Sequence, residues 1–392
     1  MLQELINHSP DIHQLMNEGF SLEFKGGYLL IHHIPYVNTL REVKYGTLVS
    51  SLTLNGFTTV RPDNHVIQFI GDQPCDIKGI RINAIFHTDT SQDLGNGIVI
   101  NRAFSNKPPE GYENYYEKFK RYAEIISAPA KSLNDSVTEV PCFPHRNLSE
   151  NNVFQYVDTN SSRANIGFVN EKLSHLKVGI VGLGGTGAYI LDFVAKTGVS
   201  EIHLIDNDVF STHNAFRSPG AASFEELCSE ISKVEYYKEK YSNMHRNIRS
   251  SKTFLNEENL EILSTLDFVF LCIDRNSARK NIAEYLCANG IAFIDVGLGA
   301  DLVLDKITAM IRVSSFPVDF KGNLNKFLPF DETTDNAYNS NIQIAELNAL
   351  NAGLAVIKWK KMYGFYQDLI NENHSIYCLN SNQLTDECDF NT

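Results

Sequence analysis

Apolar and polar residues are laid out differently in the two parts of this chain, and each layout predicts its own kind of sheet. Up to Gly19 the pattern suits a helix. After it come short strand-like runs at 28–34, 47–54, 65–70, 82–87 and 97–104, parted by turn signals such as Arg61-Pro62-Asp63-Asn64 and Gly71-Asp72-Gln73-Pro74. That spacing predicts a mostly antiparallel sheet. Residues 112–126 carry apolar and aromatic side chains at helical spacing and are expected to pack on it. Prolines and polar residues then dominate 128–152, which reads as a linker. The expected partition is a smaller α+β domain over 1–130, a linker over 131–160 and a larger domain over 161–392.

In the larger domain apolar runs alternate with helical stretches. Residues 178–181 form an apolar run bounded by glycine, which suits a buried parallel strand. A helix follows from near Thr186 to Gly198, then a strand over 201–206, a helix near 232–244, strands over 266–273, 291–296 and 306–313, and a long helix over 341–361. This alternation predicts an α/β fold with a Rossmann-like doubly wound sheet. The last helix has a small-residue face, suited to packing or to a dimer contact.

Composition narrows the function. Of 392 residues 43% are apolar and 21% charged, as in a globular protein, and the net charge is -13 at pH 7. So acidic a chain does not promise the basic surface that phosphate backbones require, and nucleic acid is not an expected partner. No apolar run approaches about 18 residues, and residues 1–11 lack the charged and apolar blocks of a signal peptide. The expectation is a cytoplasmic protein with no membrane partner. The seven cysteines are scattered with no CxxC pair, which removes the usual zinc-ribbon reading. Cys272 and Cys287 sit among apolar residues and read as core, and His32, His33 and His65 read as strand residues rather than ligands.

The candidate chemistry lies between residues 177 and 276. Gly182, Gly184, Gly185 and Gly187 follow the 178–181 strand at once and open a helix. In that setting glycine lets the backbone approach a phosphate, and the helix N-terminus offers free N–H groups. A tight turn that binds nothing would not need four glycines in six positions. Asp206, closing the next strand, is placed to accept hydrogen bonds from a ribose. The loop after it brings Asp208, Asn214 and Arg217, Lys233 opens a later helix, and Asp274 closes the strand before Asn276. Cations, an amide and acids beside a phosphate turn suit a nucleoside triphosphate. An NAD-dependent oxidoreductase would leave Asn214, Arg217 and Lys233 unexplained. Taken singly, Asn214 could cap a helix and Lys233 could be a solvated face.

In order and spacing these motifs resemble the ThiF, MoeB and HesA superfamily of ubiquitin-activating-enzyme-like adenylyltransferases, over about residues 163–360. The carriers are GLGGTG over 182–187, DxD at Asp206 and Asp208 with Asn214 and Arg217 following, the lysine of KVE at Lys233, and a CxD aspartate at Asp274 followed by Asn276. The resemblance implies an ATP site in which Asp206 holds ribose, Asn214, Arg217 and Lys233 bind phosphates, and Asp274 supports magnesium. An upstream arginine in such enzymes reaches the partner subunit's ATP. Arg163 is its match, without the tyrosine and second arginine of the family pattern, and a homodimer is implied.

The implied reaction is attack by a carboxylate, normally a protein's C-terminal glycine, on the α-phosphorus of ATP, releasing pyrophosphate and leaving an acyl adenylate. A ubiquitin-like protein is the implied substrate; a sulfur-carrier protein or a peptide is the alternative, and a nucleotide-binding scaffold without activity is another. Two departures stand out. Many relatives bind zinc through paired CxxC motifs, absent here, and residues 314–348 hold no cysteine where thioester-forming relatives keep one. The expected reaction stops at the adenylate. Cys228 is the alternative thiol, while Ser314, Ser315, Tyr338 and Ser340 have no histidine close in sequence to activate them. The first domain is similar to the ubiquitin-conjugating and RWD-like fold, with 65–79 as central strands and turn. It would serve as a docking module for a conjugating-type partner, because Cys75 is not where that fold keeps its catalytic cysteine. A module of this kind fused to an activating enzyme resembles prokaryotic ubiquitin-like systems.

Overall fold

The computed structural model of the chain describes residues 2–143, 152–164, 166–328 and 342–387. It divides into two units, Met1–Asn152 with Tyr156–Phe168, and Val153–Gln155 with Val169–Thr392. Among the described residues no helix is long and apolar enough to cross a membrane.

In the first unit the helix expected to reach Gly19 is two helices, α1 (Leu2–His8) and α2 (Pro10–Glu18). Pro10 lacks the N–H that a continuous helix would use and instead takes the first turn of α2. Gly19 ends α2 with φ +96, its N–H on the Leu15 and Met16 carbonyls. An antiparallel sheet follows, formed by β1 (Ser21–Lys25), β2 (Tyr28–Val37), β3 (Val43–Ser51), β4 (Val66–Ile70), β5 (Phe86–Thr88) and β6 (Arg102–Ser105) in the order β1-β2-β3-β4-β6-β5. Helix α3 (Tyr115–Leu133) packs on β2 and buries Tyr115, Phe119, Tyr122 and Ile126 along one face. Its start is fixed by Asn114, whose side chain accepts the Glu117 N–H. It runs past residue 128, where a linker reading begins, through Pro129. Burial of Ala130 with Val37 and Val137 compensates for the one hydrogen bond the proline gives up. The short helix α4 (Thr159–Arg163) also belongs to this unit.

The second unit is an α/β layer structure. Its strands are β7 (Lys177–Val181), β8 (Glu201–Ile205), β9 (Ile248–Ser251), β10 (Phe268–Leu271), β11 (Ala292–Val303), β12 (Lys306–Phe316), β13 (His374–Cys378) and β14 (Gln383–Glu387). They lie in the order β9-β8-β7-β10-β11-β12-β13-β14. The first five are parallel and the last three add antiparallel to that core. Parallel strands covered on both faces read as unbroken apolar runs, and every residue of β10 is buried. Alternate side chains serve opposite layers. Val178, Ile180, Phe268 and Phe270 pack with α5 (Gly185–Val194) and α8 (Ala345–Met362), whereas Val269 and Leu271 pack with α7 (Asn276–Ala288). Helix α6 (Lys233–Tyr241) adds Val234 and Tyr237 to the first layer. The small-residue face of α8 is spent on α5 within the chain, with Ala352 and Ala355 fully buried. Residue 341, where a sequence reading starts that helix, lies outside the described residues.

Candidate functional site

The order β9-β8-β7-β10 makes β7 and β10 neighbours whose connections leave in opposite directions, and ligands enter open α/β sheets above the carboxyl ends of such a pair. A cavity of about 680 Å³ opens there. Gly182, the first residue after β7, has φ +90, and a Cβ on it would lie 2.5 Å from the Cys272 carbonyl oxygen. A Cβ on Gly187 would lie 1.9 Å from the Gly182 carbonyl oxygen. Only glycine fits at either position. Gly184 differs, since nothing stands within 4 Å of where its Cβ would be, so the backbone before α5 is open to an approaching group.

Asp206 ties two turns together, its carboxylate accepting the Leu183 N–H at 2.6 Å and the Asp208 N–H at 2.8 Å. Lys233 is buried at the start of α6, its Nζ 2.7 Å from Asp208 Oδ2 and 3.8 Å from Asp206 Oδ1. A backbone bond from Lys233 N to the Asp208 carbonyl at 2.9 Å fixes it there. Nearby, Arg217 Nε and Asn214 Nδ2 are buried without an acceptor among the described residues. A buried donor left unmatched costs about 1–3 kcal/mol, so a ligand that supplied acceptors would recover that loss. Asn214 Oδ1 accepts the Ser211 N–H at 2.9 Å and caps the turn Thr212–Ala215, leaving the amide nitrogen for another use. Burial, followed by the Arg217 and Lys233 cations, holds the His213 imidazole below its usual range, a sign of the positive field here.

The cavity brings together Gly182, Gly184, Gly185, Asp206 and Asp208 on one side with Arg217, Lys233, Asp274 and Asn276. Gly187 and Asn214 lie behind this lining, and Arg163 ends α4 in the first unit and is not part of it. Two groups of residues on the site were not read from the sequence. Asn348 on α8 accepts from Thr186 Oγ1 at 2.9 Å, and a Cβ on Gly185 would lie 2.1 Å from its Nδ2, so it braces the glycine turn from behind. The second group is a buried charge cluster. Asp295 on β11 is fully buried, with Arg279 Nε 3.0 Å from one oxygen and Arg312 Nη2 2.5 Å from the other. Arg279 also donates to the Asn276 side chain and the Ile273 carbonyl, which holds the loop that carries Asp274. The signal available was Asp295 itself, a lone acid inside an apolar strand.

Burial, followed by the Asp295 charge, pushes the Cys272 thiol well above its usual range, so it is no ready nucleophile. Cys228 is exposed at the end of a short helix, Phe224–Cys228. No histidine lies close in sequence to the serines of β12, but folding brings His374 Nδ1 to 2.8 Å from the buried Ser314 hydroxyl. Tyr338 and Ser340 lie outside the described residues.

Residues 159–347 match the ThiF family model, and residues 10–159 match a domain of unknown function, DUF6791. The adenylyltransferase and sulfurtransferase UBA4 of Saccharomyces cerevisiae (strain RM11-1a) is 30% identical over 132 residues, 33% of this chain and 30% of the yeast protein. The molybdopterin-synthase adenylyltransferase of Haemophilus influenzae is 32% identical over 113 residues, 29% of this chain and 46% of that protein. The chain thus spans less than half the length of either relative. The crystal structure of E. coli MccB with MccA-N7isoASN is 19% identical, with 58% of this chain and 69% of that chain covered and a TM-score of 0.48. With its glycine turn, acid pair and lysine on a doubly wound sheet, residues 159–347 form a ThiF family domain, and a DUF6791 domain over residues 10–159 precedes it.

Proposed function

We propose that the second unit uses ATP to adenylate the C-terminal carboxylate of a ubiquitin-like protein. The observation that carries this reading is Lys233, a buried ammonium set between Asp206 and Asp208 on the same cavity as the open glycine turn. A carboxylate oxygen of the substrate attacks the α-phosphorus, the bond from that phosphorus to the bridging oxygen breaks, and pyrophosphate leaves. An acyl adenylate remains. Two anions must meet, so the barrier is largely electrostatic, and Lys233 with Arg217 stabilises the charge on the phosphoryl oxygens. The N-terminus of α5 receives a phosphate, and Asp206 accepts from the ribose hydroxyls. Asp274 supplies the kind of oxygen donor that magnesium prefers and would hold that ion, which when bound orients the triphosphate.

Arg163 would act on the phosphates of a second copy, and the first unit would dock a conjugating-type partner. The names of the yeast and H. influenzae relatives favour a second reading, in which the substrate is a sulfur-carrier protein. A hydride-transfer enzyme would leave Lys233 and Arg217 without a role. The test is exchange of labelled pyrophosphate into ATP in the presence of candidate carrier proteins ending in glycine. Asp274→Ala and Arg217→Ala should each lower the rate about a hundredfold. Exchange at the wild-type rate in both variants would end the assignment.

A further inference from the structure

Two loops of the first unit are braced by their own hydrogen bonds while their apolar side chains stay in water. The turn between β2 and β3 is built on the buried Asn38, whose Oδ1 accepts the Leu40 and Glu42 N–H groups at 2.9 Å each, with the Asn38 N–H on the Glu42 carbonyl at 3.0 Å. Leu40 at its tip is 74% exposed. The loop between β4 and β5 is tied in the same way by Asp76, whose Oδ1 accepts the Lys78 N–H at 2.8 Å and the Ile80 N–H at 2.9 Å. Ile77 and Ile80 on it are 49% and 57% exposed. The loops adjoin, because Arg41 Nε donates to the Lys78 carbonyl at 3.3 Å and a Cβ on Gly79 would lie 2.8 Å from the Thr39 carbonyl oxygen. One exposed aliphatic side chain is ordinary, but three on two adjoining tips form a patch. With the backbone already fixed, covering it would cost little further ordering.

The charges around the patch say what suits it. Arg41, Lys44, Lys78 and Arg81 stand there against two acids, Glu42 and Asp76, in a chain whose net charge is -13. Both acids are engaged, Glu42 with Lys44 at 3.2 Å and Asp76 with the backbone of its own loop. Arg41 meets the Lys78 carbonyl, and Arg81 meets the Asn83 side chain and the Phe86 ring, all of them uncharged. Among the described residues no carboxylate pairs with Arg41, Lys78 or Arg81. We infer that this patch is a docking surface for an acidic peptide segment that carries aliphatic or aromatic side chains. Its carboxylates would meet Arg41, Lys78 and Arg81 at the rim, while its apolar side chains cover Leu40, Ile77 and Ile80. An anionic membrane is the weaker match, since so small an excess of cations contributes about 2 kcal/mol there and the acidic remainder of the chain opposes it. The inference rests on the reading of the first unit as a docking module and not on the nucleotide site.

The experiment pans a displayed library of short random peptides on the full chain, then measures the enriched peptides, synthesised and labelled, by fluorescence anisotropy. Enriched sequences should combine Asp or Glu with Leu, Ile or Phe, and their affinity should fall as salt is raised, because the rim charges are exposed. Leu40→Ser and Ile80→Ser should each weaken binding about tenfold, and Lys78→Glu about threefold or more, with circular dichroism unchanged. Enrichment of basic or uncharged sequences would overturn the inference. Peptides bound equally by the wild type and by all three variants would keep the docking module but place its surface elsewhere, whereas no enrichment at all would remove both. Vesicles of phosphatidylcholine and phosphatidylserine that bind the wild type and not the Leu40→Ser protein would make the patch a lipid surface instead.

Discussion

Lys118 on α3 is 1% exposed and Lys233 on α6 is 5% exposed, yet their surroundings share little. In the first unit the Lys118 ammonium donates to the Ser50 hydroxyl at 2.9 Å, and among the described residues no carboxylate pairs with it. Its stem fills the space between helix and sheet, and burial lowers its pKa to about 8. In the second unit Lys233 has Asp208 at 2.7 Å and Asp206 at 3.8 Å, and the three form one wall of a cavity. A buried lysine held by two carboxylates at the wall of a crevice is placed to meet an anion that enters it. One that meets a hydroxyl and the face of the Tyr115 ring, with no carboxylate in contact among the described residues, is a packing residue whose charge opposes the fold.

The comparison breaks most sharply at Lys233. Lys233→Ala should lower pyrophosphate exchange by about a hundredfold or more, the scale for removing one preorganised charge. Lys118→Met should leave exchange within about twofold of wild type. Equal losses in the two variants would mean that Lys233 acts through folding rather than through the site. Next in size is the turn beside it. Gly187→Ala places a Cβ 1.9 Å from the Gly182 carbonyl oxygen, and relief requires backbone movement. Tripolyphosphate affinity should fall by more than tenfold, with a loss of stability of about 1–3 kcal/mol. Gly184→Ala meets no atom within 4 Å and is the matched control for folding. A Gly187→Ala protein with wild-type stability and affinity would show that the turn is not held where it stands here.

The same contrast explains what could be read in advance. The α/β unit was legible because strands covered on both faces must be apolar throughout, as β7 and β10 nearly are. Strand β9 was not, since at the sheet edge Ile248 is its one buried residue, and β14 is exposed along its whole length. The glycine turn could be named because its geometry selects residue type directly. Asn348 and the Arg279, Asp295 and Arg312 cluster could not, because such groups meet only through tertiary packing. Thr186 and Asn348 are 162 residues apart in the chain. In the first unit the prolines misled, since Pro10 starts a helix and Pro129 is carried inside one.

A smaller effect sharpens the other side of the comparison. Lys118→Met keeps the length of the stem and removes a buried charge, so near neutral pH it should stabilise the protein by about 1–3 kcal/mol. Ser50 is not left without a partner, because its hydroxyl also reaches the Ser51 carbonyl at 3.1 Å. Urea denaturation of the full chain measures this, with circular dichroism reporting both units. Trp359, the one tryptophan in the sequence, reports the second. A variant less stable than wild type would mean that the ammonium has a stabilising partner in solution.

The smallest effect is the dependence of that gain on pH, and its sign follows from the lowered pKa. Below about pH 8 Lys118 is protonated in both the folded and the unfolded chain, and the folded state carries the full burden of the buried charge. Between about 8 and the unfolded value of about 10.4 the folded lysine is neutral while the unfolded one still holds its proton, so stability rises with pH. Above that window the term is constant. The gain from Lys118→Met should therefore shrink as pH rises from about 8 to about 10. Tyr112, Tyr115 and Tyr122 titrate against this trend, because burial raises their pKa values and the stability tied to them falls as pH climbs past about 10. They are present in both proteins, so the difference between wild type and Lys118→Met removes them. A difference that stays flat from pH 7 to about 10 would mean that the buried Lys118 ammonium keeps its proton.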